Sequence, residues 1–155
     1  MRLYLVQHGE ALPEEKDPGR HLTEKGLSDV KRVASYLRPL KLSVGTVWHS
    51  GKPRALQTAE ILAPALAGKA KVVQRDGLGP KDPVGPVRGA VERSRQDLMI
   101  VGHLPLLEKL AASLVAGDKS TEVIAFRYGS VVCLENAADG GWRVAWMIVP
   151  DLIIA

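Results

Sequence analysis

The chain has 155 residues, of which 46% are hydrophobic and 25% charged, and a formal net charge of +4 at neutral pH. This is the size and make-up of one folded unit with a proper core, so a single domain spanning 1–155 is expected. No apolar run approaches the roughly 18 residues of a spanning helix, the lone cysteine, Cys133, allows no internal disulfide, and the basic stretch from Lys69 to Arg95 is broken by Asp76, Asp82 and Glu92 and holds no aromatic ring, which argues against a nucleic-acid platform.

Met1-Arg2-Leu3 leads directly into an apolar pattern without the small-residue cleavage site of a secretory signal, so a cytoplasmic location is expected. "RLYLV" (2–6) reads as a buried strand, and the chain then breaks into Gln7-His8-Gly9-Glu10. "TEKGLSDVKRVASYLRPL" (23–40) carries Leu27, Val30, Val33, Ala34 and Leu37 at helical spacing. Thr23 is placed as its N-cap and Pro39 ends it. "VGTVWHS" (44–50) is a second strand and "KPRALQTAEILAPALAG" (52–68) a second helix, with Pro53 near its start and Pro64 stopping or kinking it. "KVVQ" (71–74) is a short strand.

Residues 77–89 carry four glycines and three prolines and read as a loop, followed by a short helix up to Gln96. "DLMIVG" (97–102) is a third strong strand and "PLLEKLAASLVAG" (105–117) a third strong helix. In the tail, "EVIAFRYG" (122–129), "SVVCLEN" (130–136) and "WRVAWMIV" (142–149) read as successive strands, with "ADGG" (138–141) a hairpin turn. Cys133 lies in a strand and is expected to be a buried, inert thiol. Trp142 and Trp146, four apart on a strand, are expected on one face.

Helices alternating with apolar strands predict a three-layer α/β/α domain: a mainly parallel sheet with helices on both faces. Right-handed crossovers bring the C-terminal ends of the three strong strands to one edge, where ligands bind in such sheets. The first strand delivers Gln7-His8-Gly9 to that edge. The second delivers His49-Ser50 and then Lys52-Pro53-Arg54. The third delivers Gly102-His103. Imidazoles, a guanidinium and helix N-termini converging at one rim describe a site for a dianion, with phosphate the obvious candidate.

These residues also form a pattern. "QHGEA", "RHLTEKG", "SGKPRALQTAE" and "VGHLPLL" occur in this order from one end of the chain to the other. Together they resemble the histidine phosphatase superfamily, whose signature runs Arg-His-Gly, then Arg-x-Leu-Thr-x-x-Gly, then Ser-x-x-x-Arg-Ala-x-Gln-Thr-Ala, then a late Gly/Ser-His. The short length resembles the small SixA-like phosphohistidine phosphatase branch, and the resemblance implies a phosphoglycerate-mutase-like fold. It further implies that His8 is the nucleophile, that Arg54 grips the phosphoryl oxygens and that His103 is the second pocket histidine. Arg20 is implied as a further basic group, with Gln7 and Gly9 beside the phosphate; Ser50 and Thr58 are read as structural. His21 and His49 receive no functional role. The chemistry asks for an in-line nucleophile inside a cage of positive groups. Arg54, Arg20 and His103 can supply that charge, so no metal or other cofactor is expected.

Position 7 departs from the signature, with Gln7 where the family carries arginine. A neutral amide replaces a forked cation, a change that lowers transition-state stabilisation by about 1–3 kcal/mol. A degenerate phosphate-binding module with little turnover is therefore an alternative reading, as is a small-molecule phosphomonoesterase. Glu10, Asp76 and Asp82 are the carboxylates available as a proton donor, with Glu10 the candidate. Phosphohistidine needs little acid help because its imidazole leaves easily, which favours that substrate. The expected partner is a phosphorylated protein or small phosphate, without nucleic acid or membrane, and the expected state is a monomer or weak homodimer.

Overall fold

In the computed structural model, which describes residues 1–154, six strands join one sheet: β1 (Arg2–Gln7), β2 (Thr46–His49), β3 (Lys71–Gln74), β4 (Leu98–Gly102), β5 (Val131–Asn136) and β6 (Trp142–Ile148). Their order is β3-β2-β4-β1-β5-β6. The first four run parallel, and β5 and β6 add an antiparallel edge. The helices are α1 (Glu24–Leu37), α2 (Pro53–Leu62), α3 (Val84–Arg93) and α4 (Leu106–Ala116).

Side-chain alternation builds two cores from one sheet. Tyr4 and Val6 of β1, with Met99 and Val101 of β4, face Val30, Val33, Ala34 and Leu37 of α1 and Ala55, Ala59 and Leu62 of α2. Leu3, Leu5, Leu98 and Ile100 face the other way, onto Val87 and Val91 of α3 and Leu106, Leu107, Leu110 and Leu114 of α4. The central strands are apolar on both sides because both sides are covered. The layers are therefore α1–α2, sheet and α3–α4, the three-layer arrangement expected from the sequence.

Local signals explain the helix ends. Thr23 accepts a hydrogen bond from the Gly26 amide at 2.9 Å and caps α1, and Pro39 falls in the 3₁₀ turn that follows. Pro53 opens α2, and Pro64 lies in a 3₁₀ turn after it. The hairpin at Ala138–Gly141 forms as expected, closed by bonds between Ala137 and Gly141 and between Gly140 and Ala137. Cys133 is fully buried, and burial pushes its thiol up to about 11.

Three expectations need correction. First, the Gly/Pro-rich stretch 77–89 is a loop only as far as Pro83, because α3 already begins at Val84. Pro86 is tolerated there since the amides of a first helical turn have no intrahelical partner, and Val87, Ala90 and Val91 supply a buried face. Second, residues 122–129 form no strand. Both long sides of β1 are taken, by β4 and β5, and the other side of β5 by β6, so this segment finds no place beside its sequence neighbour β5. It packs instead by Val123, Ile124 and Phe126 onto the α3–α4 core. Third, Trp142 and Trp146 lie on opposite faces. Trp146 packs on the α1–α2 core with its ring 5.9 Å from Tyr4, and Trp142 on the α3–α4 core. A bulge explains this: Cys133 pairs with Trp146 but Leu134 with Val144, and the extra residue inverts the alternation.

α1 and the segment after β1 come together through two glycines. A Cβ on Gly26 would lie 2.1 Å from the Glu10 carbonyl oxygen, and one on Gly9 would lie 2.8 Å from Val30 Cγ2. Backbone cannot yield as a flexible side chain does, so Gly26→Ala is expected to destabilise the fold by about 1–3 kcal/mol, read as a lower denaturant midpoint.

Candidate active site

The strand order places β4 between β1 and β2, with Gln7 opposite Gly102 and His49 opposite Val101. Three neighbouring strands thus end level, and the residues that follow them share one rim. The His8 amide continues the ladder by donating to the Gly102 carbonyl at 3.1 Å. The His8 and His103 rings lie 5.0 Å apart between centroids, tilted by 54°. Both are buried, at 5% and 2% exposed, as is Arg54 at 8%. Residues 8 and 103, distant in sequence, meet here, and the Arg54 charge acts on both rings.

His8 is held by a chain of hydrogen bonds. Its Nδ1 lies 2.7 Å from the Gly9 carbonyl oxygen. A carbonyl only accepts, so Nδ1 carries the proton of the neutral ring and Nε2 is left with the lone pair. Gly9 in turn donates its amide to Thr58 Oγ1 at 3.0 Å, and the Thr58 hydroxyl donates to the Arg54 carbonyl at 2.8 Å. One fully buried hydroxyl therefore ties the exit of β1 to the first turn of α2, where Arg54 sits. On the other side, the amide of Gly129 donates to the carbonyls of Gln7 and His8, at 2.9 and 3.2 Å. His103 Nε2 lies 2.7 Å from Ser50 Oγ, which also accepts from the Lys52 amide at 3.3 Å.

The permanent charges acting on the two imidazoles are cationic: Arg54 and Arg20 on His8, and Arg54, Lys52 and Arg20 on His103. Burial is the larger cause, and it pushes His8 down to about 4 and His103 down to about 3. Both rings are neutral at pH 7. Burial and Arg20 also lower the pKa of Arg54, which stays charged as guanidinium does. Among the described residues, three buried side-chain atoms have no hydrogen-bond partner: Gln7 Oε1, Arg54 Nε and His103 Nδ1. All three belong to the rim. Unpartnered buried polar atoms are costly, and their gathering at one place marks a spot built for a polar guest.

The remaining predicted residues are placed as follows. Arg20 has a positive φ of 51° and donates through Nε to the Leu12 carbonyl at 3.1 Å, with its charge felt by both imidazoles. Gln7 is 7% exposed at the end of β1, and rotation of its amide by half a turn would exchange the unpartnered acceptor for a donor. Gly9 has both backbone groups engaged, by Thr58 and by the His8 ring, and contributes close packing against α1. Glu10 accepts a hydrogen bond from the Thr23 hydroxyl at 2.7 Å and lines a cavity of about 130 Å³ with Lys25, Asp29, Arg127 and Tyr128. Asp82 closes its own loop by accepting from the Gly79 amide at 2.7 Å. His49 accepts from the Gly51 amide, and His21 pairs with Asp17.

Sequence reasoning missed Tyr128. Its ring stands 5.5 Å from that of His8, tilted by 40°, and is 47% exposed. The residue lies within a stretch read as a strand, and nothing local links it to a partner 120 positions earlier. Thr58 and Ser50, structural positions in the motif, link their partners across the site without any local signal of it.

Among the described residues, no group of three or more His, Cys, Asp or Glu side chains is placed to hold a metal ion, and no helix is long and apolar enough to cross a membrane. Comparison with known proteins agrees with the motifs. A model of the histidine phosphatase superfamily (branch 1) matches residues 3–79. An uncharacterized protein of Picosynechococcus sp. is 34% identical over 144 residues, covering 84% of this chain and 87% of that protein. The phosphohistidine phosphatase SixA of Escherichia coli is 26% identical over 155 residues, covering 97% and 94%. A solved structure of the protein histidine phosphatase SixA complexed with tungstate superposes with a TM-score of 0.83 at 24% identity, covering 97% of this chain and 98% of that one.

Burial of two neutral imidazoles has a measurable consequence. An unfolded chain protonates histidine near pH 6.5, while His8 and His103 stay neutral in the folded state down to about 4 and about 3. Between those limits the unfolded state binds the extra protons, so stability is full above pH 6.5 and falls as the pH drops through this window. NMR titration is expected to leave the two ring resonances at their neutral positions from pH 7.5 to about 5.5, and the unfolding midpoint is expected to decline over the same range.

Proposed function

The chain belongs to the histidine phosphatase superfamily, and from that premise we propose that it removes phosphoryl groups from phosphohistidine in a protein, with His8 as nucleophile. Supporting the choice of substrate is the 26% identity, over nearly the whole of both chains, to a phosphohistidine phosphatase. The observation that carries the mechanism is a buried neutral imidazole whose Nδ1 is fixed on the Gly9 carbonyl, with the charges of Arg54 and Arg20 acting on it.

In the first step the Nε2 lone pair of His8 bonds to phosphorus, and the P–N bond of the substrate breaks. Its electron pair stays on the departing imidazole, which takes up a proton from solvent. Arg54, Arg20 and His103 hold the equatorial oxygens as charge spreads over them. Ser50 fits this role for His103: donating its hydroxyl to Nε2 leaves Nδ1 bearing the proton, and Nδ1 is the unpartnered nitrogen. In the second step a water oxygen bonds to phosphorus, the P–Nε2 bond breaks, and the electron pair returns to His8. A proton of that water is released as inorganic phosphate departs.

Gln7 favours a second reading, a pocket that binds phosphate and turns over slowly, because a neutral amide stands where the family places a guanidinium. One set of variants separates the two. Incubated with a phosphohistidine-bearing protein, the wild type is expected to release phosphate and His8→Ala to fall to background. Gln7→Arg is expected to raise the rate by about ten- to a hundredfold. Phosphate binding without release in the wild type, with release appearing in Gln7→Arg, would establish the second reading. Undiminished release by His8→Ala would remove the first.

A further inference from the structure

The site holds an aromatic wall that the phosphoryl chemistry above does not use. Tyr128 covers one side of the His8 ring at 5.5 Å, while His103 covers another at 5.0 Å. Unlike His103, Tyr128 is only partly covered, with 47% of its surface open beside a nucleophile that is itself 5% exposed. An aromatic face left open beside a buried imidazole offers a surface on which a flat group can stack.

The ring is also held in place. Arg127, Tyr128, Gly129 and Ser130 form a tight turn in which the Ser130 amide donates to the Arg127 carbonyl at 2.9 Å and the Arg127 amide donates to Ser130 Oγ at 3.2 Å. Gly129 adopts a φ of +76° at the third position of this turn, which only glycine takes without strain. Its amide then grips the carbonyls of Gln7 and His8, so the turn carrying Tyr128 is fastened to the backbone that carries the nucleophile. A tyrosine has few rotatable bonds, and a fixed backbone makes it a rigid surface.

Resting on the reading of this pocket as a phosphoryl-transfer site, we propose that Tyr128 is the surface on which the leaving group packs. It selects planar aromatic leaving groups, an imidazole or a phenol, over aliphatic alcohols. In-line displacement puts the leaving atom on the far side of phosphorus from His8, and on this proposal the open part of the neighbouring tyrosine ring lies within reach of the group attached there. A flat ring can stack there and an alkyl chain gains less. Stacking of this kind is worth a preference of about three- to tenfold.

Phosphonates test this without turnover, because they bind and are not cleaved. Isothermal titration of the full chain is expected to give phenylphosphonate about three- to tenfold tighter binding than methylphosphonate. Tyr128→Phe retains that ratio, and Tyr128→Ala and Tyr128→Leu bring it close to one while changing methylphosphonate affinity less than about twofold. The Leu variant keeps bulk at the turn, so its result separates loss of the aromatic face from loss of packing. Equal binding of the two phosphonates by the wild type, a preference surviving in both Ala and Leu variants, or an equal weakening of both ligands would each overturn the proposal. Failure of the functional reading looks different: phosphate release absent in the wild type or unaffected by His8→Ala, whatever the phosphonate ratio.

Discussion

A single proton governs this site. His8 can present a lone pair from Nε2 only while Nδ1 holds its hydrogen on the Gly9 carbonyl, 2.7 Å away. That carbonyl must point back at the ring of the preceding residue, and several distant parts of the chain cooperate to aim it. Thr58 on α2 holds the Gly9 amide, Gly26 lets the backbone at Glu10 approach α1, and the Gly129 amide clasps the carbonyls on the opposite side. Remove the aim and the ring is free to choose the other tautomer, in which Nε2 carries the hydrogen. The fold acts on chemistry here through orientation.

Around that proton the electrostatics are one-sided. Burial keeps both imidazoles uncharged, and Arg54, Arg20 and Lys52 act on the pair as cations. A site of this kind opposes protonation of its own bases and welcomes an anion, two effects of the same field. Glu10, the nearest carboxylate in sequence to His8, is turned to Thr23 and shares a cavity with Lys25 and Asp29. Its negative charge is thereby anchored at the head of α1. Gln7 softens the cationic field at one position while keeping a buried polar end on the rim.

The central architecture was readable because its signals are local. Apolar runs ending in Gln7-His8, His49-Ser50 and Gly102-His103, each followed by a helix pattern, specify parallel strands whose exits share an edge. Thr23 and Pro53 mark helix starts through the chemistry of their own backbone neighbourhoods. What could not be read depends on partners elsewhere. The Val84 start of α3 hides among prolines and glycines that usually signal a loop, and only burial of Val87 and Val91 makes it worthwhile. Residues 122–129 have strand-like composition, but both sides of β5, the strand that follows them, are taken by β1 and β6, and their apolar side chains pack on the α3–α4 core instead. The opposite faces of Trp142 and Trp146 follow from an extra residue in β6 that no periodicity announces. Tyr128 escaped notice for the same reason: its neighbour, His8, lies at the other end of the chain.

The C-terminal segment bears on the centre of the molecule more than its position suggests. After β6 the chain makes a 3₁₀ turn at Pro150–Leu152, and Arg32 of α1 anchors it by donating to the Pro150 and Ile153 carbonyls. Pro150 presses on the turn opposite: a Cβ at Gly129 would stand 3.2 Å from its Cγ. Residues 150–153 are thus a buttress behind the turn that carries Tyr128, braced through Arg32 to α1. Anything that levers this segment away would slacken the mounting of Tyr128 and at the same time strip Ile153 from the α1–α2 core.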